Sequence, residues 1–445
     1  MHHAYPVLFV LLTGALLLVW RLAPGRPVTI RMDHGWPARP TRRLPLLLGV
    51  LALCGAALAP TPAAVARQEN PPPTATPAPE PTPVPVAPFD PALAAKLQRV
   101  LDRTVADGYI PGASVAVHID GQEVWSGTSG VSDRRQKTPM TPETRVRIAS
   151  ISKVFTAVVV LQLVEEGVLE LDAPLSRWLP GIVPTADAIT IRRLLNHTTG
   201  LYDYLEDRNF VNRAYRTPDR FWAPGEMVAY AAQFPSAFRP GAQGAWDYSS
   251  TNYVLLGMVV EQATGRTLGQ EMRARIFEPL GLTSTSFPPE EEVHQPRSRG
   301  YSRAGEQTNV AMSVVFATAN IVSTPTDVQR FARGLFGGEL LRPETLEQMQ
   351  TFVGGKGQYN MPQLEYGLGL MRNVLPVGPD AAGRARPAAT SRVMGHIGGF
   401  GGFRSALWYA PEGRITIALG VNQFSTDPNT LATRLLATIL AHQGR

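Results

Sequence analysis

Cysteine is nearly absent from this sequence: among 445 residues only Cys54 occurs, inside an apolar run near the N-terminus. The chain beyond residue 54 therefore forms no disulfides and contains no catalytic cysteine. The preceding Leu51-Ala-Leu53 puts a bulky leucine where a lipid-attachment motif has a small residue. We interpret Cys54 as an apolar filler of that run and not as a lipidation site.

Several other signals are also lacking. The eight histidines are scattered without the spacing of metal ligands, so we predict no metal site and no cofactor. No Gly-x-Ser-x-Gly elbow occurs, which argues against an α/β-hydrolase. Lysine is found only at positions 96, 137, 153 and 356, and the remaining basic residues are arginines.

The basic character of the chain is confined to its N-terminal region. The net charge is +6, but residues 1–66 hold six arginines against a single acid, Asp33. Little net charge is left for the rest of the chain, so no nucleic acid or other polyanion is implied as a partner.

Two apolar runs, residues 4–20 and 44–59, flank this arginine-rich stretch and allow two interpretations. In one, Arg42-Arg43, residues 44–58 and Ala64-Val-Ala66 form a cleavable secretory signal, with Met32 as the natural start. In the other, both runs remain as membrane helices with the arginine loop in the cytoplasm. In both, the remainder of the chain is extracytoplasmic.

The composition divides the chain into three parts. Residues 1–66 form the targeting region, and residues 67–91 form a linker, because ten prolines between positions 71 and 91 favour an extended polyproline II spacer. Residues 92–445 have the apolar patterns of a folded domain. The oligomeric state cannot be predicted from these patterns.

Strand patterns lie near both ends of the folded part. Residues 113–119 and 123–127 predict a hairpin turning at Asp120-Gly121, and residues 402–409 and 414–421 predict another. Helical patterns cover residues 91–107 and 428–442, and longer ones lie between the hairpins. This order indicates one mixed sheet completed by both ends of the chain, with a large helical insertion.

One of the four lysines follows a serine at a chemically useful spacing, in Ser150-Ile-Ser-Lys153. Residues 150–164 are almost all apolar and are typical of a buried helix, on which positions i and i+3 share a face. Lys153 would then point at the Ser150 hydroxyl and could activate it as a nucleophile. The alternative is a helix-capping serine followed by a solvated lysine.

Two further motifs favour the catalytic interpretation. Tyr248-Ser-Ser250 precedes a helical pattern, and Gly395-His396-Ile-Gly398-Gly399 precedes the second hairpin. The ordered set resembles the serine β-lactamase-like family, which includes class C β-lactamases, D-alanyl-D-alanine carboxypeptidases, D-aminopeptidases and related esterases. Other segments that resemble this family are Ile110-Pro-Gly112, Arg147-Ile-Ala, Leu194-Leu-Asn-His197-Thr-Thr-Gly200 and Asn252-Tyr253.

The resemblance implies an α+β fold of the β-lactamase/transpeptidase type, with an antiparallel sheet flanked by helices. It also implies that Ser150 is acylated, that Lys153 tunes it and that Tyr248 exchanges protons. The backbone N–H groups of Ser150 and Gly399 would form the oxyanion hole, and Gly398 would contact substrate. His396 would hydrogen-bond the catalytic region or, when protonated, a substrate carboxylate, which makes a pH dependence expected.

Ser250 stands where relatives commonly have an asparagine that holds the amide of an acylamino substrate. A serine hydroxyl at this substrate-binding position is too short for that role. We therefore expect a hydrolase that forms an acyl-enzyme with a D-amino-acid peptide, a β-lactam or a small ester, with the carboxypeptidase and esterase branches preferred. The alternative is an inactive, penicillin-binding-like sensor or binding domain. We interpret His197 as a packing or hydrogen-bonding residue of a tight turn.

Overall fold

A computed structural model describes residues 86–355 and 357–445. The two apolar runs and most of the proline-rich linker lie outside the described residues. Within the described part of the chain, no helix combines the length and the apolar character needed to cross a membrane. The predicted boundary between linker and domain stays a prediction.

The strands of this part vary in length from two to nine residues. They are β1 (Gly112–Ile119), β2 (Trp125–Asp133), β3 (Thr138–Pro139), β4 (Val146–Arg147), β5 (Tyr301–Ser302), β6 (Gly305–Glu306), β7 (Val322–Ser323), β8 (Glu365–Tyr366), β9 (Met371–Val374), β10 (Arg392–Phe400), β11 (Phe403–Ala410) and β12 (Ile415–Val421).

The helices lie mostly between β4 and β8, where the sequence predicts an insertion. They are α1 (Pro91–Asp107), α2 (Ser152–Glu165), α3 (Ile191–Leu195), α4 (Arg208–Arg216), α5 (Pro224–Ala231), α6 (Ser250–Thr264), α7 (Leu268–Met272), α8 (Phe316–Ala319), α9 (Pro325–Phe336), α10 (Pro343–Met349), α11 (Ala388–Ser391) and α12 (Pro428–His442).

Eight of these strands form one sheet in the order β3-β2-β1-β12-β11-β10-β9-β8. The expectation of a mixed sheet is wrong, because every neighbouring pair in this order is antiparallel. The antiparallel sheet with flanking helices and a large helical insertion is confirmed. Strand β12 joins the two ends of the chain by pairing with β1 on one side and β11 on the other.

Local chemistry explains the predicted elements that form. Helix α1 begins where the Asp90 carboxylate accepts hydrogen bonds from the backbone N–H groups of Ala92 (2.7 Å) and Leu93 (3.0 Å). The first hairpin turns where Gly121 takes a left-handed φ of 77°. Helix α6 ends at Gly265, which is left-handed with φ 69°.

The two faces of the sheet are covered by different helices. On one face, α1 and α12 contribute buried leucines such as Leu97 and Leu435, which join a cluster with Trp408 and other strand residues. On the other face lies the helical insertion, whose larger apolar cluster includes most of α2 and α6. Helix α2 is buried over most of its length, as its nearly continuous apolar run predicts. The nucleophile candidate therefore lies at the junction of the sheet and the insertion.

Candidate active site

Ser150 lies on a single 3₁₀ turn, Ala149–Ile151, directly before α2 and not within it as the sequence pattern predicts. Ala149 has a left-handed φ of 49°, a conformation that L-residues adopt only when their surroundings enforce it. The Ser405 hydroxyl on β11 donates to the Ile148 carbonyl at 2.6 Å, and the Ile148 N–H donates to Ile321 at 3.1 Å. The turn is thus held from both sides while Ser150 stays partly exposed.

Lys153 is fully buried, and its ammonium has two partners in the active site. The Nζ atom donates to Ser150 Oγ and to the Thr318 carbonyl, both at 3.2 Å. Burial lowers the pKa of Lys153 from 10.5 to about 7, and the negative charge of Asp203 opposes this change. A substantial fraction of Lys153 is therefore neutral near pH 7, as a general base for Ser150 requires.

Tyr248 belongs to the segment that leads into α6, and its ring covers the lysine. Lys153 Nζ lies 4.9 Å from the centroid of the ring, which is within range of a cation–π contact. Burial raises the pKa of the Tyr248 phenol well above its usual value, while the Ser150 hydroxyl acts in the opposite direction. The phenol is therefore protonated at neutral pH and able to act as a donor.

His396 lies on β10 beside these residues, but its hydrogen bonds differ from those expected. Its Nδ1 faces the Ile397 carbonyl, so this nitrogen must carry the proton. Its Nε2 then accepts from the Tyr366 hydroxyl at 2.9 Å. Both nitrogens are occupied by protein groups, and neither of these partners is Tyr248 or Ser150.

Burial, together with the nearby charge of Lys153, lowers the pKa of His396 to about 3. The expectation that a protonated His396 binds a substrate carboxylate and produces the pH dependence is therefore not supported, because the imidazole is neutral at physiological pH. Its partner Tyr366 was missed by the sequence analysis. Tyr366 ends the short strand β8, and no local motif distinguishes it from a core tyrosine.

The two glycines of the predicted substrate and oxyanion positions are close to the nucleophile turn. A Cβ atom at Gly398 would lie 2.4 Å from the Ile148 carbonyl oxygen and 3.0 Å from Ala149 Cβ. Only glycine therefore allows β10 to approach this turn so closely. Gly399 follows, partly exposed and paired with Arg404 of β11. Substrate contact by Gly398 and the oxyanion role of Gly399 stay predictions.

Ser250 is 3% exposed and is the first residue of α6. Its backbone N–H and its hydroxyl both lower the pKa of Asp203, so both lie beside that carboxylate. Asp203 is itself buried, and burial raises its pKa. A contact between Ser250 and substrate stays a prediction.

In the described ranges, no group of histidine, cysteine and acidic side chains is arranged to hold a metal ion. The chemistry available to the site is that of Ser150, Lys153 and Tyr248. These three residues come from the 3₁₀ turn, from α2 and from the segment before α6, and they meet as the sequence predicts.

The chain is similar to known proteins in sequence and in fold. The family profile described as Beta-lactamase matches residues 97–441. Esterase EstB of Burkholderia gladioli is 37% identical over 206 residues, which are 44% of this chain and 52% of the esterase. The chain thus spans about half the length of this curated relative.

Two solved structures are similar over nearly their whole length. The D-stereospecific amidohydrolase from Streptomyces sp. has a TM-score of 0.66 and 34% identity, with 78% of this chain and 98% of that chain covered. The D-amino acid amidase from Ochrobactrum anthropi SV3, complexed with L-phenylalanine, has a TM-score of 0.69 and 29% identity, covering 79% and 99%. The fold, the arrangement of Ser150, Lys153 and Tyr248, and the matched profile together place this chain in the β-lactamase family.

Proposed function

We propose that the chain is a serine hydrolase that works through an acyl-enzyme. The observation that carries this proposal is the 3.2 Å contact between Lys153 Nζ and Ser150 Oγ, made by a fully buried amine whose pKa is about 7. Neutral Lys153 removes the Ser150 proton as Oγ attacks the substrate carbonyl. The protonated phenol of Tyr248 then donates its proton to the leaving alkoxide or amine as the scissile bond breaks.

Deacylation runs through the same groups. A water molecule attacks the acyl carbonyl, gives up a proton to the Lys153–Tyr248 pair, and Ser150 leaves with a proton restored to Oγ. The Ser150 and Gly399 N–H groups stabilise the oxyanion in both steps. The left-handed turn at Ala149 and the close approach of Gly398 support this role, because they bring the two backbone segments together.

Esters and amides of D-amino acids are the substrates we favour. A carboxypeptidase must bind a free carboxylate, and the neutral, fully bonded His396 offers no positive charge for one. Ser250 offers little to the acylamino group of a β-lactam, because its hydroxyl is shorter than an asparagine amide. The named activities of the similar esterase, amidohydrolase and amidase support the same choice.

We further propose that this chemistry takes place outside the cytoplasm on a small molecule or peptide. The arginine-flanked apolar runs at residues 4–20 and 44–59 and the proline-rich spacer support export. If the signal is not cleaved, the same segment would attach the domain to the membrane.

Intact-mass analysis with a fluorescent penicillin and an activated ester tests the chemistry. We expect one covalent adduct per chain, lost in Ser150→Ala and kept in Ser126→Ala, which makes the same change on an exposed part of β2. If neither reagent forms an adduct with the wild type, the proposal is refuted and the inactive binding domain is favoured.

A substrate panel then tests the class. It contains p-nitrophenyl esters, D- and L-phenylalanine amide, a D-Ala-D-Ala peptide and nitrocefin. We expect turnover of the esters and of the D-amide ahead of the peptide and nitrocefin. Turnover led by the D-Ala-D-Ala peptide would overturn the substrate class while leaving the acyl-enzyme chemistry intact.

A further inference from the structure

We propose that His197 is a positioning residue for Tyr248. In the tautomer that carries its proton on Nε2, His197 accepts a hydrogen bond at Nδ1 from the backbone that directly follows the tyrosine. This inference rests on the proposed function, because it concerns the same catalytic phenol. His197 is fully buried and lies on the turn after α3, 51 positions before Tyr248 in sequence.

Two hydrogen bonds to His197 bracket Tyr248. The Asp247 N–H donates to the His197 carbonyl at 3.2 Å, and the Ser249 N–H donates to His197 Nδ1 at 3.2 Å. The imidazole also lies against the Tyr248 ring, with centroids 4.3 Å apart and planes inclined by 36°. One residue therefore holds Tyr248 through the backbone before it, the backbone after it and its ring.

A chain of hydrogen bonds fixes the tautomer of His197. The Leu201 N–H donates to Thr199 Oγ1, and the Thr199 hydroxyl donates to Asn252 Oδ1 at 2.7 Å. The amide nitrogen of Asn252 consequently faces His197 Nδ1 at 3.1 Å. Because two N–H groups point at Nδ1, this nitrogen is an acceptor and the proton lies on Nε2.

The Nε2–H group is enclosed by aromatic rings. Among the described residues it has no hydrogen-bonding oxygen or nitrogen. The ring of Tyr366 stands edge-on to the imidazole at 4.6 Å, and that of Trp246 at 6.0 Å. A second proton on Nδ1 would face two donors, so the imidazole stays neutral. Burial, with the charge of Lys153, lowers the pKa of His197 well below its usual value, in agreement with this arrangement.

The backbone of His197 supplies a matched pair of variants. Its φ of 61° is left-handed, a conformation that glycine and asparagine tolerate better than other residues. His197→Asn keeps an acceptor near the position of Nδ1, whereas His197→Gly removes it, and both lose the ring. The two variants therefore differ mainly in whether the Ser249 N–H keeps a partner.

A double-mutant cycle with Tyr248→Phe tests whether His197 acts through Tyr248. We expect His197→Gly to lower kcat for an activated ester about 10- to 100-fold with little change in KM, since a displaced catalytic group costs rate and not binding. His197→Asn should recover most of that loss. In the Tyr248→Phe background, His197→Gly should cost less than about twofold, because the phenol it positions is gone. Labelling rates with a fluorophosphonate replace turnover where the double variant is too slow.

Circular dichroism and thermal unfolding establish that each variant is folded. If His197→Gly does not fold, His197→Gln takes its place, because its longer side chain fills the site but carries its amide beyond the position of Nδ1. Equal loss in both Tyr248 backgrounds, or a loss confined to KM, would overturn the positioning role. A wild type without Ser150-dependent turnover would instead overturn the proposed function.

Discussion

The pH dependence of activity should follow Lys153. Burial lowers its pKa from 10.5 to about 7, which disfavours the ammonium form by about 5 kcal/mol at about 1.4 kcal/mol per pH unit. If neutral Lys153 is the base, about a tenth of the enzyme is active at pH 6 and about nine-tenths at pH 8. We therefore expect kcat/KM to rise roughly tenfold between these values.

His396 and Tyr248 should not add steps to this profile. His396, with a pKa of about 3, is neutral throughout, and Tyr248, with its pKa raised well above 10, stays protonated. One substitution should shift the pH profile in a known direction. Asp203 raises the pKa of Lys153, so Asp203→Asn should move the rise in activity to lower pH.

The assay measures kcat/KM for an uncharged alkyl ester from about pH 5 to about pH 9, in the range where the lysine should titrate. The product is quantified by chromatography after quenching, so that no indicator titrates in the same range. His396→Asn is the control, and it should leave the midpoint unchanged whatever it does to kcat. A flat profile, or a midpoint that follows His396 and ignores Asp203, would refute the assignment.

Three further changes test the packing described above. Gly398→Ala would place a Cβ 2.4 Å from the Ile148 carbonyl oxygen. We therefore expect the variant to lose adduct formation and to be destabilised by about 1–3 kcal/mol, as measured by urea unfolding. An active, stable variant would contradict the close approach of β10 to the nucleophile turn. Between pH 7 and 10.5 the unfolded lysine holds a proton that the folded one releases, so the unfolding free energy of the wild type should rise by up to about 1.4 kcal/mol per pH unit. Lys153→Met should abolish this rise. The same slope in both proteins would argue against the lowered pKa of Lys153. Leu435 is buried in α12 on the opposite face of the sheet. Leu435→Ala should lower the unfolding free energy by about 2–5 kcal/mol and leave kcat of the folded protein unchanged. A lowered kcat would show coupling across the sheet.

The elements that the sequence predicts well are those with strong local signals. Helices α1 and α12 have capping aspartates followed by proline, and their predicted bounds are confirmed. The two hairpins turn at glycine-containing segments, although β2 starts later and extends further than predicted. The meeting of Ser150 with Lys153 follows from their spacing, since a 3₁₀ turn leading into a helix still brings residues i and i+3 together.

The features that were missed depend on contacts between distant segments. Strand β10 contains the Gly395-His396 motif, but its three glycines weaken the strand pattern, and only pairing with β9 and β11 makes it a strand. The role expected of His396 changed because Tyr366, thirty residues earlier, occupies its Nε2. No periodicity or motif within a sequence window reveals such a partner.

The position of β12 has a consequence for the order in which the protein can assemble. Ala113 on β1 pairs with Val421 on β12, so the pairing of β1 with β12 forms a loop of about 300 residues. Contacts of such long sequence separation form slowly. Strand β11 holds the nucleophile turn through the hydrogen bond from Ser405 to the Ile148 carbonyl, and β11 also pairs with β12. A polypeptide emerging from its N-terminus would therefore acquire a braced Ser150 only after β11 is made, because Ser405 follows Ile148 by 257 residues.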